Sequence, residues 1–152
     1  MNRWMALARS EAQEGMNRGE GGPFGALIVR EDQIIAQTHN TVLGTNDPTA
    51  HAEINAIRTA SAALGRFDLS DCVLYTSCYP CPMCLGAILW ARIPTVYYGA
   101  TAEDAARGGF DDARFHAFMH DPASVLGLHP LDSAESSDLF AQWLAKEDRK
   151  AY

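Results

Sequence analysis

Residues 71–100 have the sequence DCVLYTSCYPCPMCLGAILWARIPTVYYGA, which carries the strongest structural signal in the chain. Apolar runs predict a buried strand over 71–77, a buried helix over 81–92 and a second strand over 95–100. The run from 72 to 91 has no charged residue, but its prolines break any membrane-spanning helix. Two strands joined by a helix are expected to pair in parallel, so this stretch predicts a β-α-β unit.

The rest of the chain continues the alternation of strands and helices. We predict helices over residues 4–16, 49–64, 102–108 and 136–150, and strands over residues 24–30 and 33–39. The turn at Glu31 and Asp32 predicts that the first two strands form a hairpin. No linker rich in Pro, Gly or Ser divides the sequence. The pattern therefore predicts one α/β domain over residues 1–152, with helices on both faces of one sheet.

Composition narrows the possible functions. The chain has 152 residues, a formal net charge of −7 and a pI near 5.1. Such a charge argues against stable binding of a long nucleic acid through phosphate neutralisation and favours a small substrate. The N-terminal stretch mixes charged and apolar residues, so it does not resemble a secretory signal. We therefore expect a cytoplasmic protein with reduced thiols and no membrane partner.

Three of the four cysteines lie within residues 76–84, TSCYPCPMC. Cys81 and Cys84 form a C-x-x-C pair at the predicted start of a helix, where free N–H groups and the helix dipole stabilise thiolates. The pair alone is ambiguous. It is compatible with a redox dithiol, with half of a structural zinc site, or with two small buried side chains.

The stretch His51-Ala52-Glu53 upstream favours a metal site. Together with the second stretch it gives H-x-E…P-C-x-x-C, the signature of zinc-dependent nucleobase deaminases. One imidazole and two thiolates leave the fourth tetrahedral position of a single Zn²⁺ open for water, and Glu53 is placed to act as a base. The competing interpretation is a closed structural site completed by Cys78 or Cys72. We expect Cys72 to be a buried thiol and Cys78 to point elsewhere, which favours the open site.

The chain resembles the cytidine-deaminase-like superfamily of zinc deaminases over nearly its whole length. The resemblance rests on DPTAHAEINAIR at 47–58 and on residues 76–100. Within the superfamily, GGFDD at 108–112 and the terminal Tyr152 are most similar to small bacterial guanine deaminases and plant guanosine deaminases. This resemblance implies a three-layer α/β/α sandwich with a central mixed sheet of five strands.

The resemblance also implies roles for individual residues. His51, Cys81 and Cys84 would bind Zn²⁺, and Glu53 would shuttle protons. The implied substrate-binding residues are Phe24, Asn40, Ala52, Trp90, Asp112 and Tyr152. Phe24 is equally compatible with simple packing in the core, and a helical Trp in an apolar stripe, such as Trp90, is more often a core residue. Where many relatives have Glu before Pro-Cys, this chain has Tyr79, which removes a carboxylate next to the site without affecting the ligands.

The expected activity is hydrolysis of guanine to xanthine and ammonia by a homodimer that exchanges its C-terminal segment. Tyr152 would then act in the partner's site. Two alternatives remain open at the level of sequence. The same chemistry could act on guanosine, cytosine or a tRNA adenosine, or the domain could be a non-catalytic, zinc-stabilised interaction module.

Overall fold

A computed structural model describes residues 2–110 and 113–151, and the chain divides into two compact units, residues 1–112 and 113–152. The described elements of the first unit are, in chain order, α1 (Arg3–Asn17), β1 (Gly25–Arg30), β2 (Gln33–His39), α2 (Val42–Thr45), α3 (Ala52–Leu64), β3 (Val73–Cys78), α4 (Pro82–Trp90), β4 (Thr95–Ala100) and α5 (Ala102–Arg107). Every strand and helix predicted within this unit is present. The short helix α2 was not predicted.

The four strands form one mixed sheet in the order β2-β1-β3-β4. Strand β1 pairs antiparallel with both β2 and β3, while β3 and β4 run parallel with Val73 opposite Thr95. The predicted hairpin and parallel pair are thus confirmed. The prediction of a fifth strand is wrong for the residues that the structure describes. After β4, Thr101 and Asp104 form a reciprocal capping box that starts α5, so the chain turns into a helix there.

Alternate residues of β1 pack on opposite faces of the sheet. Ala26 and Ile28 belong to a core cluster with the inner face of α3, whereas Leu27 and Val29 pack against Ala8 of α1. A strand buried on both faces requires a helix on each side. The three-layer prediction therefore holds for the first unit.

Helix α3 begins three residues later than predicted. The Asp47 carboxylate accepts hydrogen bonds from the backbone N–H and the hydroxyl of Thr49, which holds this stretch in a turn. His51 then adopts an extended conformation as the N-cap of α3. Because α3 begins only at Ala52, His51 lies at the N-terminal end of the helix and not within its first turn.

The second unit contains α6 (Ala113–His120), a 3₁₀ turn (Pro122–Ser124) and α7 (Ser133–Ala145). Helix α6 was not predicted. Helix α7 begins three residues and ends five residues earlier than the predicted helix over 136–150. Leu139, Phe140, Trp143 and Leu144 of α7 are all exposed. Within the described ranges, no helix has the length and apolarity needed to cross a membrane.

Candidate metal centre and active site

Two helix starts bring the predicted metal ligands together. His51 is the N-cap of α3, Cys81 is the N-cap of α4, and Cys84 lies in the first turn of α4. Neither N-cap side chain makes the usual capping hydrogen bond to its own helix. Pro82 at the first helical position has no N–H to satisfy and presets the helical backbone. Local structure thus leaves both N-cap side chains available as ligands.

The geometry of these three side chains fits a tetrahedral zinc site. His51 Nδ1 lies 3.6 Å from Cys81 Sγ and 3.5 Å from Cys84 Sγ. Zinc bonds of about 2.3 Å to sulfur and 2.0–2.1 Å to nitrogen, at tetrahedral angles, place S and N about 3.6 Å apart. The fit identifies Nδ1 as the ligand atom of His51. In the described part of the chain, this is the one group of three or more potential ligands close enough to share a metal ion.

The surroundings of the two thiols shift their pKa values in opposite directions. A hydrogen bond from Cys84 lowers the pKa of Cys81, and its contact with His51 lowers that pKa further. The same hydrogen bond, together with burial, raises the pKa of Cys84. Metal binding requires thiolates, so zinc binding at this site would release the proton of Cys84, the thiol with the raised pKa.

Glu53 lies beside the ligands. Its side chain is 6% exposed, and its Oε2 is 3.6 Å from Cys84 Sγ. Thr76 Oγ1, on β3, donates a hydrogen bond of 3.1 Å to Glu53 Oε1. Burial raises the pKa of Glu53, and the hydrogen bonds from its own N–H and from Thr76 offset part of that rise. A carboxyl group with a raised pKa next to a metal site is suited to accept and return protons near neutral pH.

The remaining cysteines do not complete a closed site. Cys78 Sγ points to the carbonyl oxygen of Thr101 at 3.6 Å, in keeping with the prediction that it is aimed elsewhere. Cys72 is buried, and burial together with Asp71 raises its pKa to about 11. The structure therefore favours the open catalytic site over a structural site with four protein ligands.

Three of the predicted substrate-binding residues belong to the first unit near the start of α3. Asn40 is buried, and its Oδ1 accepts a hydrogen bond from the Val42 N–H, so its NH₂ group is the end that can donate to a ligand. Ala52 is fully buried as the first residue of α3, and the N–H at that position has no acceptor within the helix. Phe24 packs against the core and meets the Phe110 ring edge to face.

The other predicted substrate-binding residues are Trp90, Asp112 and Tyr152. Trp90 ends α4, about 13 Å along the axis from the N-cap Cys81. Its side chain is 66% exposed, which does not fit the alternative of a core residue. The structure does not bring Trp90 to the metal ligands, and its substrate contact stays a prediction. Asp112 and Tyr152 lie outside the described residues. Tyr79 packs edge to face on Tyr98.

Two site residues were not predicted. Thr76 lies on the buried side of β3, where a lone hydroxyl among apolar side chains was a detectable sign of a buried polar partner. Asn55 donates hydrogen bonds to the segment around Asn40. The sequence places Asn55 on a helix but does not indicate which segment its side chain would contact.

A three-layer α/β domain that places one imidazole, two cysteine sulfurs and a buried carboxyl group at the starts of two helices defines a zinc-dependent hydrolytic deaminase. Residues 1–100 match the family model for the cytidine and deoxycytidylate deaminase zinc-binding region, and the chain belongs to this family.

Individual relatives narrow the comparison. Guanine deaminase of Bacillus subtilis (strain 168) is 48% identical over 143 residues, covering 93% of this chain and 92% of that protein. A crystal structure of B. subtilis guanine deaminase matches with a TM-score of 0.95 at 46% identity, covering 100% of this chain and 99% of that one. The tRNA-specific adenosine deaminase of Agrobacterium fabrum (strain C58) is 39% identical over 137 residues, covering 87% of this chain and 88% of that protein.

Proposed function

We propose that the protein catalyses the zinc-dependent hydrolysis of guanine to xanthine and ammonia. The observation that carries this proposal is the buried Glu53 carboxyl group beside the ligand atoms of His51, Cys81 and Cys84. The near full-length similarity to a guanine deaminase supports guanine as the base. The net charge of −7 argues against a tRNA substrate.

The chain's own groups bind and orient the purine. The Asn40 NH₂ group and the Ala52 N–H each donate to an acceptor on the base, while the Phe24 ring packs against its face. Because Asn40 Oδ1 is held by Val42, the donor orientation of the amide is fixed before the substrate arrives. These contacts place C2 of guanine toward the metal centre and Glu53, and such positioning contributes directly to rate.

Glu53 moves the protons. When bound, Zn²⁺ supplies a Lewis acid that lowers the pKa of a water molecule. Glu53 would accept a proton from that water and deliver it to N3 of guanine, and would then pass the proton of the new hydroxyl group on C2 to the departing amine. A C2–O bond forms and the bond between C2 and the exocyclic nitrogen breaks, so guanine and water give xanthine and ammonia. Thr76 holds the Glu53 carboxyl group in place throughout.

Ammonia release from a panel of substrates tests the proposal. Zinc-loaded protein is assayed with guanine, guanosine, cytosine, cytidine, adenine and tRNA at equal concentrations. We expect kcat/KM to be highest for guanine. A higher value for another substrate would replace guanine but keep the chemistry. No ammonia from any substrate at full zinc occupancy would favour the non-catalytic interaction module.

We further propose that the protein is a homodimer in which the C-terminal unit of each protomer packs on its partner. The exposed apolar side chains of α7 support this, because a helix of this length needs a packed apolar face to be stable in water. We expect Phe140→Asp to yield monomers by light scattering. Gln142→Asp adds the same charge to the same helix and should leave the dimer intact. A monomeric unmutated protein would refute the proposal.

The proposed location is the cytoplasm. The metal site needs two cysteines in the thiolate form, and the described cysteines are all free of disulfide bonds. A reducing compartment maintains that state.

A further inference from the structure

We propose that Asn55 is a positioning residue that fixes Asn40 relative to the metal centre. Asn55 does not touch the metal ligands through its side chain. Its amide group instead holds the two residues on either side of Asn40. The inference rests on the proposed function in one respect, namely that Asn40 binds the substrate.

The hydrogen bonds of Asn55 define this role. Asn55 Nδ2 donates to the carbonyl oxygen of His39 at 2.9 Å and to Thr41 Oγ1 at 3.0 Å. A third acceptor, the carbonyl oxygen of Ala50, lies at 3.4 Å. One amide therefore links both neighbours of Asn40 to the residue that precedes His51.

Asn55 is rigidly connected to the catalytic residues. Its backbone N–H donates to the carbonyl oxygen of His51 at 2.9 Å, within the first turn of α3. Glu53 lies between the two residues on the same helix. The helix that carries the metal ligand and the proton shuttle thus also carries the group that holds the substrate-binding segment. This connection fixes the distance from Asn40 to the reaction centre.

Other contacts hold Asn40 from the opposite side. The Asn40 N–H donates to the carbonyl oxygen of Phe24 at 2.9 Å, and its Oδ1 accepts from Val42. These bonds attach Asn40 to its own loop and to Phe24, the residue before β1, but not to α3. Loss of the Asn55 amide should therefore leave the fold and the metal site intact while Asn40 becomes less precisely placed. A misplacement of about 1 Å in a substrate-positioning group can reduce rate about 10²-fold.

Two variants remove the amide donor. Asn55→Ala deletes it, and Asn55→Asp keeps the shape of the side chain but presents an oxygen to the three acceptors. We expect both to retain zinc and to lower kcat/KM for guanine about 10- to 100-fold, mainly through KM. Ile57→Ala, on the same helix, removes core packing but none of the three hydrogen bonds of the Asn55 amide. This control should lower thermal stability and leave KM unchanged.

A double-mutant cycle with Asn40→Ala separates positioning from a general structural role. If Asn55 acts through Asn40, adding Asn55→Ala to Asn40→Ala should change kcat/KM less than about twofold. Additive losses would show that Asn55 acts independently of Asn40 and would overturn the inference.

Amide hydrogen exchange tests the same inference without any substrate. The Thr41 N–H donates to the carbonyl oxygen of Ala50, and the Val42 N–H donates to Asn40 Oδ1. In Asn55→Ala these two amides should exchange at least about 10-fold faster relative to the amides of β3, and in Ile57→Ala they should not. Unchanged protection would overturn the inference. If the unmutated protein does not deaminate guanine, the proposed function fails, and the exchange result still decides the positioning role.

Discussion

Glu53 shows how the environment of one residue determines its chemistry. A carboxyl group buried to this degree is unfavourable as an anion unless hydrogen bonds or a nearby cation compensate. Thr76 supplies one hydrogen bond, and the metal ligands lie on the other side. The balance leaves the Glu53 pKa raised, so the group can change protonation state during a reaction near neutral pH.

We expect Glu53→Gln to abolish most of the activity without loss of zinc. Glutamine keeps the size of the side chain and can still accept from Thr76, but it cannot carry a proton. The kcat for guanine should fall at least ~10²-fold, the usual scale for general acid–base catalysis. Steady-state kinetics at measured zinc content provide the test, with the exposed Glu103→Gln as control. Near-normal turnover would remove Glu53 from the mechanism.

The metal ligands can be distinguished from the other cysteines. Cys84→Ala and His51→Ala each leave two protein ligands, and we expect both variants to lose zinc and activity together. Cys78→Ala removes a buried thiol of the same size that points away from the site, so it should retain one zinc ion per chain. Metal analysis after dialysis measures the difference. A zinc-loaded Cys84→Ala variant would refute the ligand assignment.

At the scale of elements, sequence patterns predicted most of the first unit because its elements are marked either by an uninterrupted apolar run, as in β1 and α4, or by a regular apolar period, as in α1. Strands β2 and β4 have the predicted bounds, and the ligand spacing on α4 follows from its helical repeat. The expected fifth strand came from family resemblance and not from any pattern in the chain. The start of α3 was predicted too early because the turn made by the Asp47 side chain has no periodic pattern.

The missed site residues share a physical reason. Asn55 and Thr76 act through tertiary hydrogen bonds to segments more than ten residues away. Neither the helical nor the strand period encodes which segment lies opposite a polar side chain. A motif can therefore predict metal ligands and a proton shuttle, but the groups that hold them become visible only in the folded chain.

The loop before β1 limits which side chains can occupy position 21. A Cβ atom on Gly21 would lie 2.2 Å from Asn40 Oδ1 and 2.3 Å from its carbonyl oxygen. We expect Gly21→Ala to displace Asn40 and raise KM for guanine about 10-fold or more, with zinc retained. At Gly44 an added Cβ would make ordinary contacts with Glu20, so Gly44→Ala should leave KM unchanged. Equal KM values in both variants would exclude a steric limit at Gly21.

His39 connects α1 to the loop that precedes β1. Its Nδ1 bonds Glu11 at 3.0 Å and its Nε2 bonds Glu20 at 2.6 Å. Two carboxylate acceptors require both ring nitrogens to carry protons. Burial alone would lower the His39 pKa, but the bonds to both carboxylates outweigh it and raise the pKa. Its contribution to stability is therefore complete below the ordinary pKa of 6.5 and is lost as pH rises through the raised value.

We expect His39→Gln to reduce the free energy of unfolding by about 2 kcal/mol at pH 6, the scale of a hydrogen bond to a charged group. The difference from the unmutated protein should be smaller at pH 9, because the charge on His39 is lost as pH rises through its raised pKa. Urea unfolding of both zinc-loaded proteins at the two pH values measures this difference in the free energy of unfolding. The exposed His129→Gln serves as control. A difference that does not depend on pH would show that His39 is not charged in the folded state.

At the scale of the whole molecule, the two units differ in how they bury apolar surface. The first unit encloses two core clusters around its sheet. The described part of the second unit exposes large apolar side chains along α7 and in the stretch before it, including Leu131 at 82%. Exposure on this scale favours association with another surface. The proposed exchange of C-terminal units between protomers would provide that surface.

Exchange would make each active site depend on two chains. We expect deletion of Ala151 and Tyr152 to leave zinc content and the dimer intact and to lower kcat/KM for guanine about 10²-fold, because an opened pocket loses a substrate contact and admits water. Kinetics at equal zinc content test this. Deletion without effect would refute a role for Tyr152 in closing the pocket.

Mixing two inactive variants tests whether the tail acts in its own chain or in the partner. Glu53→Gln has an intact tail and a defective centre, and the truncated chain has the reverse. In an exchanged heterodimer, one site combines the truncated chain's centre with the other chain's tail and is complete. Random reassortment of equal amounts makes half of the dimers heterodimers, so roughly one quarter of full activity should return. Unmutated chains that carry two different tags, mixed in the same way, show when reassortment is complete. If activity does not exceed the sum of the separate variants after complete reassortment, the tail acts within its own chain.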